Sequence, residues 1–104
     1  MTPKELADLL RSPNPPLLLD VRQPEEFALA ALPGAKLIPL NELPERVGEL
    51  AAWSGREVVV YCHHGMRSAH AIGWLRRQGF TQLHNLAGGI DRWSQDVDPN
   101  LPRY

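Results

Sequence analysis

The sequence predicts an α/β fold with a central parallel sheet and helices on both of its faces. The first observation is that helical patterns and short apolar strands alternate along the whole chain, as they do in parallel α/β sheets. The second is that the run 17–19 is continuously apolar, which is typical of a strand buried on both faces. The chain has 104 residues and 43% apolar content, so we expect one domain over residues 1–104.

The first half of the chain contains two predicted helices and two predicted strands. "TPKE" at 2–5 combines a capping threonine, an early proline and a capping-box glutamate, and "SPNPP" at 12–16 ends this helix. The run 17–19 predicts a buried strand. "QPEEFALAAL" at 23–32 predicts a second helix with acids in its first turn, and "AKLIPL" at 35–40 predicts a second strand.

The second half repeats this alternation. Asn41 can cap a helix over 42–53, and "REVVVY" at 56–61 is the strongest strand pattern in the chain. Apolar residues recur at helical spacing over 68–78, and a glycine follows where that helix should end. The last predicted elements are a short strand over 82–86 and a helix that opens in 88–93, before an irregular tail.

Bulk properties exclude several classes of partner and site. A net charge of -1 gives no reason to expect nucleic acid or an anionic membrane surface. No apolar run approaches the roughly 20 residues of a bilayer span, and the N-terminus resembles a helix start rather than a signal peptide. Cys62 is the only cysteine, which excludes an internal disulfide and a multi-thiolate zinc site. A free thiol predicts a reducing compartment, the cytoplasm.

Cys62 stands at the carboxyl end of the strongest predicted strand, where parallel α/β sheets bind their ligands. A helix follows, and its first N–H groups would stabilise a thiolate. Gly65 allows successive N–H groups to converge, Arg67 adds a positive charge, and Ser68 can serve as N-cap or hydroxyl donor. The pattern favours an anion cradle with a nucleophilic cysteine over the alternative that Cys62 is merely a small buried hydrophobe.

The two histidines of this loop have two interpretations. A metal site is disfavoured, because adjacent side chains usually point in different directions and no carboxylate or second cysteine lies nearby in sequence. We expect His63 and His64 instead to hydrogen-bond a bound anion or to line the loop. His70 and His84 are predicted to be structural or surface residues.

Asp20 and Arg22 follow the first predicted strand, at the same edge of the sheet as Cys62. They could therefore face the same pocket. A structural salt bridge between the strand end and the neighbouring loop is the preferred interpretation.

Together, four motifs resemble those of a single-domain rhodanese. In order they are "LLLDVRQPEEF" at 17–27, "LPGAKLIPL" at 32–40, "VVVYCHHGMRS" at 58–68 and "LAGGIDRW" at 86–93. The resemblance covers nearly the full length of the chain, and the order and spacing of the motifs agree with the family. It implies a rhodanese-like fold and a sulfurtransferase activity.

The resemblance also implies the roles of the loop residues. Cys62 would take a sulfane sulfur from a donor such as thiosulfate as a persulfide, and would pass it to an acceptor such as cyanide, a small-molecule thiol or a protein thiol in a sulfur relay. No cofactor and no metal are implied. The loop lacks the lysine of dedicated thiosulfate sulfurtransferases. The implied binding residues for donor and persulfide are His63, His64, Gly65, Met66 and Arg67, with the N–H of Ser68.

Two alternatives stay open at this point. Cysteine phosphatases of the cell-cycle type and arsenate reductases share this fold, but the phosphatases use Cys-x5-Arg, whereas here four residues separate Cys62 from Arg67. The shorter loop should be too tight for a tetrahedral phosphate and suits a sulfur atom better. A non-catalytic rhodanese-like binding module is the second alternative. Such modules often lose the nucleophile, which this chain keeps.

Overall fold

A computed structural model describes residues 1–104 as a four-stranded sheet in which every pair of neighbouring strands is parallel, in the order β2-β1-β3-β4. The strands are β1 (Leu17–Asp20), β2 (Lys36–Leu37), β3 (Val58–Tyr61) and β4 (Leu83–Asn85). The α-helices are α1 (Pro3–Leu10), α2 (Pro24–Leu29), α3 (Leu43–Arg46), α4 (Met66–Arg77) and α5 (Gly89–Asp96), with 3₁₀ segments at Leu40–Glu42 and Val47–Trp53. The predicted α/β class and parallel sheet are confirmed.

Helices cover both faces of the sheet, as predicted. The side chains of β3 alternate between the two faces, so each face carries apolar groups that a layer of helices buries. Val58 and Val60 point into one layer with residues of α3 and α4, and Val59 and Tyr61 point into the other with residues of α1 and α5. Every residue of β3 is fully buried. Burying one such apolar side chain contributes about 1.5–3 kcal/mol, so the central strand holds the sheet edge beside Cys62 in place.

Several predicted helix ends are present. At the start of α1, the Glu5 N–H donates to Thr2 Oγ1 at 3.2 Å and the Thr2 N–H donates to Glu5 Oε1 at 2.9 Å, which is the predicted capping box. Pro24 opens α2. Gly79, with a φ of 98°, follows α4 where the sequence predicts a stop.

The prediction of one helix over 42–53 capped by Asn41 is wrong. The segment is a series of short pieces, and Arg46 departs from helical geometry with a φ of -113°. Gly48, a poor helix former, lies two residues after Arg46. Asn41 caps nothing and accepts a hydrogen bond from Gln23 Nε2 at 3.1 Å.

Helix α4 begins two residues earlier than predicted, with Gly65 as its N-cap. Ser68 therefore lies inside the first turn, and the expectation that it could serve as N-cap is wrong. Its hydroxyl instead lies beside Cys62 Sγ, at 3.4 Å, where it can take the other role that the sequence predicted, that of a hydroxyl donor. Strand β2 covers only two residues of the predicted segment 35–40. None of the helices combines the length and the apolar character needed to cross a membrane.

Candidate active site

Cys62 lies at the carboxyl edge of the sheet, directly after β3, as predicted. The register places Asp20 opposite Tyr61 and Val60 opposite Asn85, so the ends of β1, β3 and β4 meet at this edge. The Cys62 side chain is 1% exposed and packs at the rim of one core layer. Cys62 is therefore buried, but it is also the first residue of the loop. Its burial alone does not decide between a small buried hydrophobe and a nucleophile.

The loop curls around the Cys62 sulfur. The Gly65 N–H donates to Sγ at 3.1 Å and the Ser68 N–H donates to it at 3.5 Å. Gly65 reaches this geometry with a φ of 124°, which glycine adopts far more readily than other residues. The sulfur thus faces converging N–H groups at the start of α4, an arrangement that favours negative charge.

These contacts set the charge state of the thiol. Burial raises the pKa of Cys62, but hydrogen bonds from the Ser68 hydroxyl and from the N–H groups of Ser68, Gly65 and His64 lower it further than burial raises it. The net direction is downward. These hydrogen bonds therefore favour the thiolate form of Cys62 over the thiol.

Ser68 is fully buried, and its hydroxyl lies 3.4 Å from Cys62 Sγ. Asn85, at the end of β4, holds that hydroxyl through its Oδ1 at 2.7 Å and donates from Nδ2 to the Gly65 carbonyl at 3.1 Å. The sequence analysis missed Asn85. The signal was its place at the end of the predicted strand over 82–86, at the same sheet edge as Cys62.

We expect Ser68→Ala to raise the pKa of Cys62. The Ser68 hydroxyl can turn its single proton from Asn85 Oδ1 to Sγ when the thiol ionises, and the variant loses that donor. The rate of iodoacetamide alkylation against pH measures this. The wild-type midpoint should lie below about 8.5, and the variant midpoint should lie above that of the wild type. Ser94→Ala is the matched control, since Ser94 is also buried and its hydroxyl donates within α5 to the Ile90 carbonyl. If the alkylation midpoint of Ser68→Ala equals that of Ser94→Ala, the Ser68 hydroxyl does not stabilise the Cys62 thiolate.

The other loop side chains point away from the sulfur or toward solvent. His63 stacks on Tyr104 with ring centroids 4.0 Å apart, and its buried Nε2 has no hydrogen-bond partner. Burial, followed by the neighbouring His64, lowers the pKa of His63. Met66 is 79% exposed at the tip of the loop.

The histidines also have a carboxylate neighbour that the sequence analysis did not foresee. One ligand-type atom from each of His63, His64 and Asp91 lies within 4.8 Å of the others. Asp91 comes from α5, far away in sequence. Its carboxylate already accepts from Arg103 Nε at 2.9 Å and from Nη2 at 3.3 Å. Both carboxylate oxygens of Asp91 are therefore already paired with the Arg103 guanidinium. We keep the prediction that the loop holds no metal ion.

Arg67 turns toward α2 rather than toward the centre of the loop. Its Nη1 and Nη2 donate to the two carboxylate oxygens of Glu26 at 2.6 and 3.0 Å. Tyr104 OH also donates to Glu26 at 2.8 Å and accepts from Arg22 Nη1 at 2.8 Å. Neither Glu26 nor Tyr104 was predicted from the sequence to lie at the site.

Asp20 and Arg22 form a fully buried ion pair, as the preferred interpretation predicted. Arg22 Nε donates to the two Asp20 oxygens at 2.9 and 3.1 Å, and its Nη2 donates to the Ala30 carbonyl at 2.7 Å. The pair ties the end of β1 to the end of α2. Through Tyr104 and Glu26 it also connects to Arg67 in the loop.

Comparison with known proteins decides the family. The sequence model of the rhodanese-like domain matches residues 2–96. The chain belongs to the rhodanese-like domain family. It is 36% identical over 104 residues to the probable adenylyltransferase/sulfurtransferase MoeZ of Mycobacterium tuberculosis, covering 100% of this chain and 26% of MoeZ. It therefore spans about a quarter of the length of that relative.

Three further relatives are closer in size to this rhodanese-like domain. A sulfurtransferase of Allochromatium vinosum is 36% identical over 92 residues, which are 88% of this chain and 84% of that one. The solved structure of the human single-domain sulfurtransferase TSTD1 has a TM-score of 0.80 at 30% identity, over 92% of this chain and 95% of that one. A rhodanese-like domain protein from Staphylococcus aureus has a TM-score of 0.85 at 30% identity, over 100% and 96%. The names of MoeZ, the Allochromatium vinosum protein and TSTD1 each include sulfurtransferase.

The closing "LAGGIDRW" motif of this rhodanese-like domain packs α5 against the cysteine loop. The Ile90 N–H donates to the Cys62 carbonyl at 3.0 Å, and the Asp91 N–H donates to the His63 carbonyl at 3.2 Å. A Cβ on Gly89 would lie 2.3 Å from the His63 carbonyl oxygen. Only glycine fits this approach, so the motif anchors the loop backbone from behind.

Proposed function

We propose that residues 1–104 act as one rhodanese-like domain that transfers a sulfane sulfur through a persulfide on Cys62. This proposal depends on one observation: the Cys62 sulfur accepts hydrogen bonds from the N–H groups of Gly65 and Ser68 at the start of α4. A thiolate held in this way is a competent nucleophile, and the same donors stabilise the negative charge of the persulfide.

The transfer has two half-reactions. The Cys62 thiolate attacks the outer sulfur of a donor such as thiosulfate, the donor's S–S bond breaks, and sulfite leaves with its electron pair. An acceptor such as cyanide or a thiol then attacks the outer sulfur of the persulfide and releases the Cys62 thiolate. The loop from His63 to Arg67 and the N–H of Ser68 would hold the donor and the persulfide, without cofactor or metal.

A protein thiol is an acceptor that the surface around the loop would suit. The exposed large apolar side chains of the chain are Leu29, Met66 and Tyr104. Met66 lies in the loop, Tyr104 stacks on His63, and Leu29 belongs to α2, the helix that holds Arg67 through Glu26. Apolar groups left exposed beside a reactive thiol are the groups that a partner protein would cover. We expect this chemistry in a reducing compartment such as the cytoplasm, where the free thiol persists.

A phosphatase gains no support from the loop. A bound phosphate carries up to two negative charges and calls for a cation at the site. The only arginine of the loop, Arg67, has its terminal nitrogens on Glu26.

The decisive experiment is mass spectrometry of the intact protein after thiosulfate treatment. We expect a mass increase of one sulfur atom, which cyanide removes. The same treatment of Cys62→Ser should leave the mass unchanged. A wild-type protein that gains no sulfur from thiosulfate, polysulfide or a small-molecule persulfide would refute the proposal.

We expect Arg67→Ala to lower kcat/KM for thiosulfate by about tenfold. The substitution leaves the Glu26 carboxylate unpaired beside the loop, and that negative charge repels a dianion. Discharge of preformed persulfide to cyanide should slow less, because cyanide carries at most one charge. The two rates are measured separately on the same preparation. Equal losses in both would mean that Arg67 supports the loop and has no influence on the donor.

A further inference from the structure

The cations around the cysteine loop are already paired. Each arginine at this edge of the sheet donates to a carboxylate, and the two histidines are not permanent charges. The loop itself contains one arginine and no lysine. An anionic donor that enters therefore meets backbone N–H groups but no unpaired guanidinium. The arginine–carboxylate pairs are Arg22–Asp20, Arg67–Glu26 and Arg103–Asp91.

The pair between Arg67 and Glu26 decides the charge of the loop. The contact is bidentate, at 2.6 and 3.0 Å, and the Glu26 side chain is only 19% exposed. Bidentate guanidinium–carboxylate pairs are among the strongest charged contacts in proteins. The pKa of Glu26 is lowered to about 2. The hydrogen bonds from Arg67 have the largest effect, those from the Gln23 N–H and from Tyr104 add to it, and burial opposes them. Glu26 is therefore ionised at any pH at which the thiolate reacts.

We propose that Glu26 is a specificity-determining residue, which occupies Arg67 and so disfavours doubly negative sulfur donors. This inference rests on the proposed function, since it concerns the donor that loads Cys62. When the thiolate attacks thiosulfate, the reactants together carry three negative charges, and the persulfide and sulfite carry the same three away. With Arg67 paired, no nearby unpaired arginine offsets the repulsion on approach. Donors with less charge on the reacting end escape this penalty.

Glu26→Gln tests the inference because it removes one charge and keeps the shape. The amide oxygen can still accept the Gln23 N–H that Glu26 Oε1 now accepts at 3.1 Å, so the start of α2 is preserved. Alkylation by iodoacetate, an anion, is compared with alkylation by iodoacetamide, its neutral analogue. The ratio of the two rates cancels any change in thiolate fraction and reports the local charge alone.

We expect Glu26→Gln to raise the iodoacetate-to-iodoacetamide ratio roughly threefold and kcat/KM for thiosulfate roughly tenfold. The second effect should be about twice the first on a logarithmic scale, because thiosulfate carries twice the charge. Glu25→Gln is the matched control, since Glu25 is the adjacent, exposed carboxylate of α2. It should change either quantity by less than about twofold. A Glu26 variant that behaves like the Glu25 variant overturns the inference.

A double variant and a salt titration complete the test. Glu26→Gln combined with Arg67→Gln removes both charges and should return the ratio to its wild-type value. A double variant that keeps the raised ratio of the single variant overturns the inference. In wild-type protein, added salt should leave the ratio constant or raise it. A ratio that falls with salt would reveal an unpaired cation at the site, and this result needs no folded variant.

Failure of the proposed function has a different signature. In that case wild-type protein gains no sulfur from any donor. Glu26→Gln can then still change the alkylation ratio, but there is no sulfur transfer for Glu26 to influence. If sulfur loads and the ratio and the thiosulfate rate ignore Glu26, the proposed function stands and the role of Glu26 is refuted.

Discussion

Cys62→Ser should abolish sulfur transfer and leave the fold nearly intact. A serine hydroxyl does not ionise near neutral pH and forms no persulfide, so turnover with thiosulfate and cyanide should fall by at least about a thousandfold. The structural cost should be small. A serine oxygen is close to sulfur in position and can accept the N–H groups of Gly65 and Ser68 that Sγ accepts now. We expect the free energy of unfolding to change by less than about 1 kcal/mol.

The measurement joins turnover to a urea unfolding curve of the same sample. Iodoacetamide treatment is the chemical counterpart: it should abolish any turnover by the wild-type protein and leave the serine variant unmodified. Ser94→Ala again provides a buried control, which should keep full turnover because Ser94 lies within α5. A serine variant that keeps most of its turnover would show that Cys62 is not the nucleophile.

Local sequence signals predicted the position of Cys62, the proposed nucleophile. The run at 58–61 is apolar and β-branched, and the glycine-containing loop after it ends the strand at a defined residue. Cys62 therefore had to stand at the carboxyl edge of the sheet, and the structure places it there. The ion pair of Asp20 with Arg22 was predictable for the same reason, because the two residues are adjacent to one strand end and only two positions apart.

The partners of the loop could not be predicted in the same way. Arg67 and Glu26 are 41 residues apart in sequence, and Arg22 and Tyr104 are 82 apart. Such contacts depend on how α2 and the tail pack against the loop, and hydrophobic periodicity says which face of a helix is buried, not which exposed side chain reaches a distant partner. The sequence predicted that Arg67 adds a positive charge beside Cys62, and only the structure shows that Glu26 pairs with that charge.

The helix prediction over 42–53 failed for a different reason. Apolar spacing correctly indicated a helical segment whose Leu43 and Leu50 are buried. It carries no information on whether the hydrogen bonds are α or 3₁₀. A glycine in the middle lowered the advantage of a continuous α-helix, and packing against the core selected short pieces.

Asp20→Ala is expected to lower the free energy of unfolding by about 3–5 kcal/mol, because it leaves the Arg22 guanidinium buried without its counter-charge. Asp20 and Arg22 are both 0% exposed, so water cannot replace the lost carboxylate. The remaining acceptors of Arg22 are the Ala30 carbonyl, the Glu26 carbonyl and Tyr104 OH, which are all uncharged. The loss should appear as a lower urea midpoint with an unchanged slope.

Asp8→Ala is the matched control for this loss. Asp8 also pairs with an arginine, Arg11, but the two side chains are 79% and 75% exposed. Exposed pairs of this kind contribute about 0–1 kcal/mol, since water solvates either charge when the other is removed. The difference between the two variants therefore isolates the cost of a buried, unpaired guanidinium from the loss of an aspartate as such. Equal midpoints for Asp20→Ala and Asp8→Ala would mean that the end of β1 opens to water readily, and that Arg22 does not fix the edge of the sheet on which the cysteine loop stands.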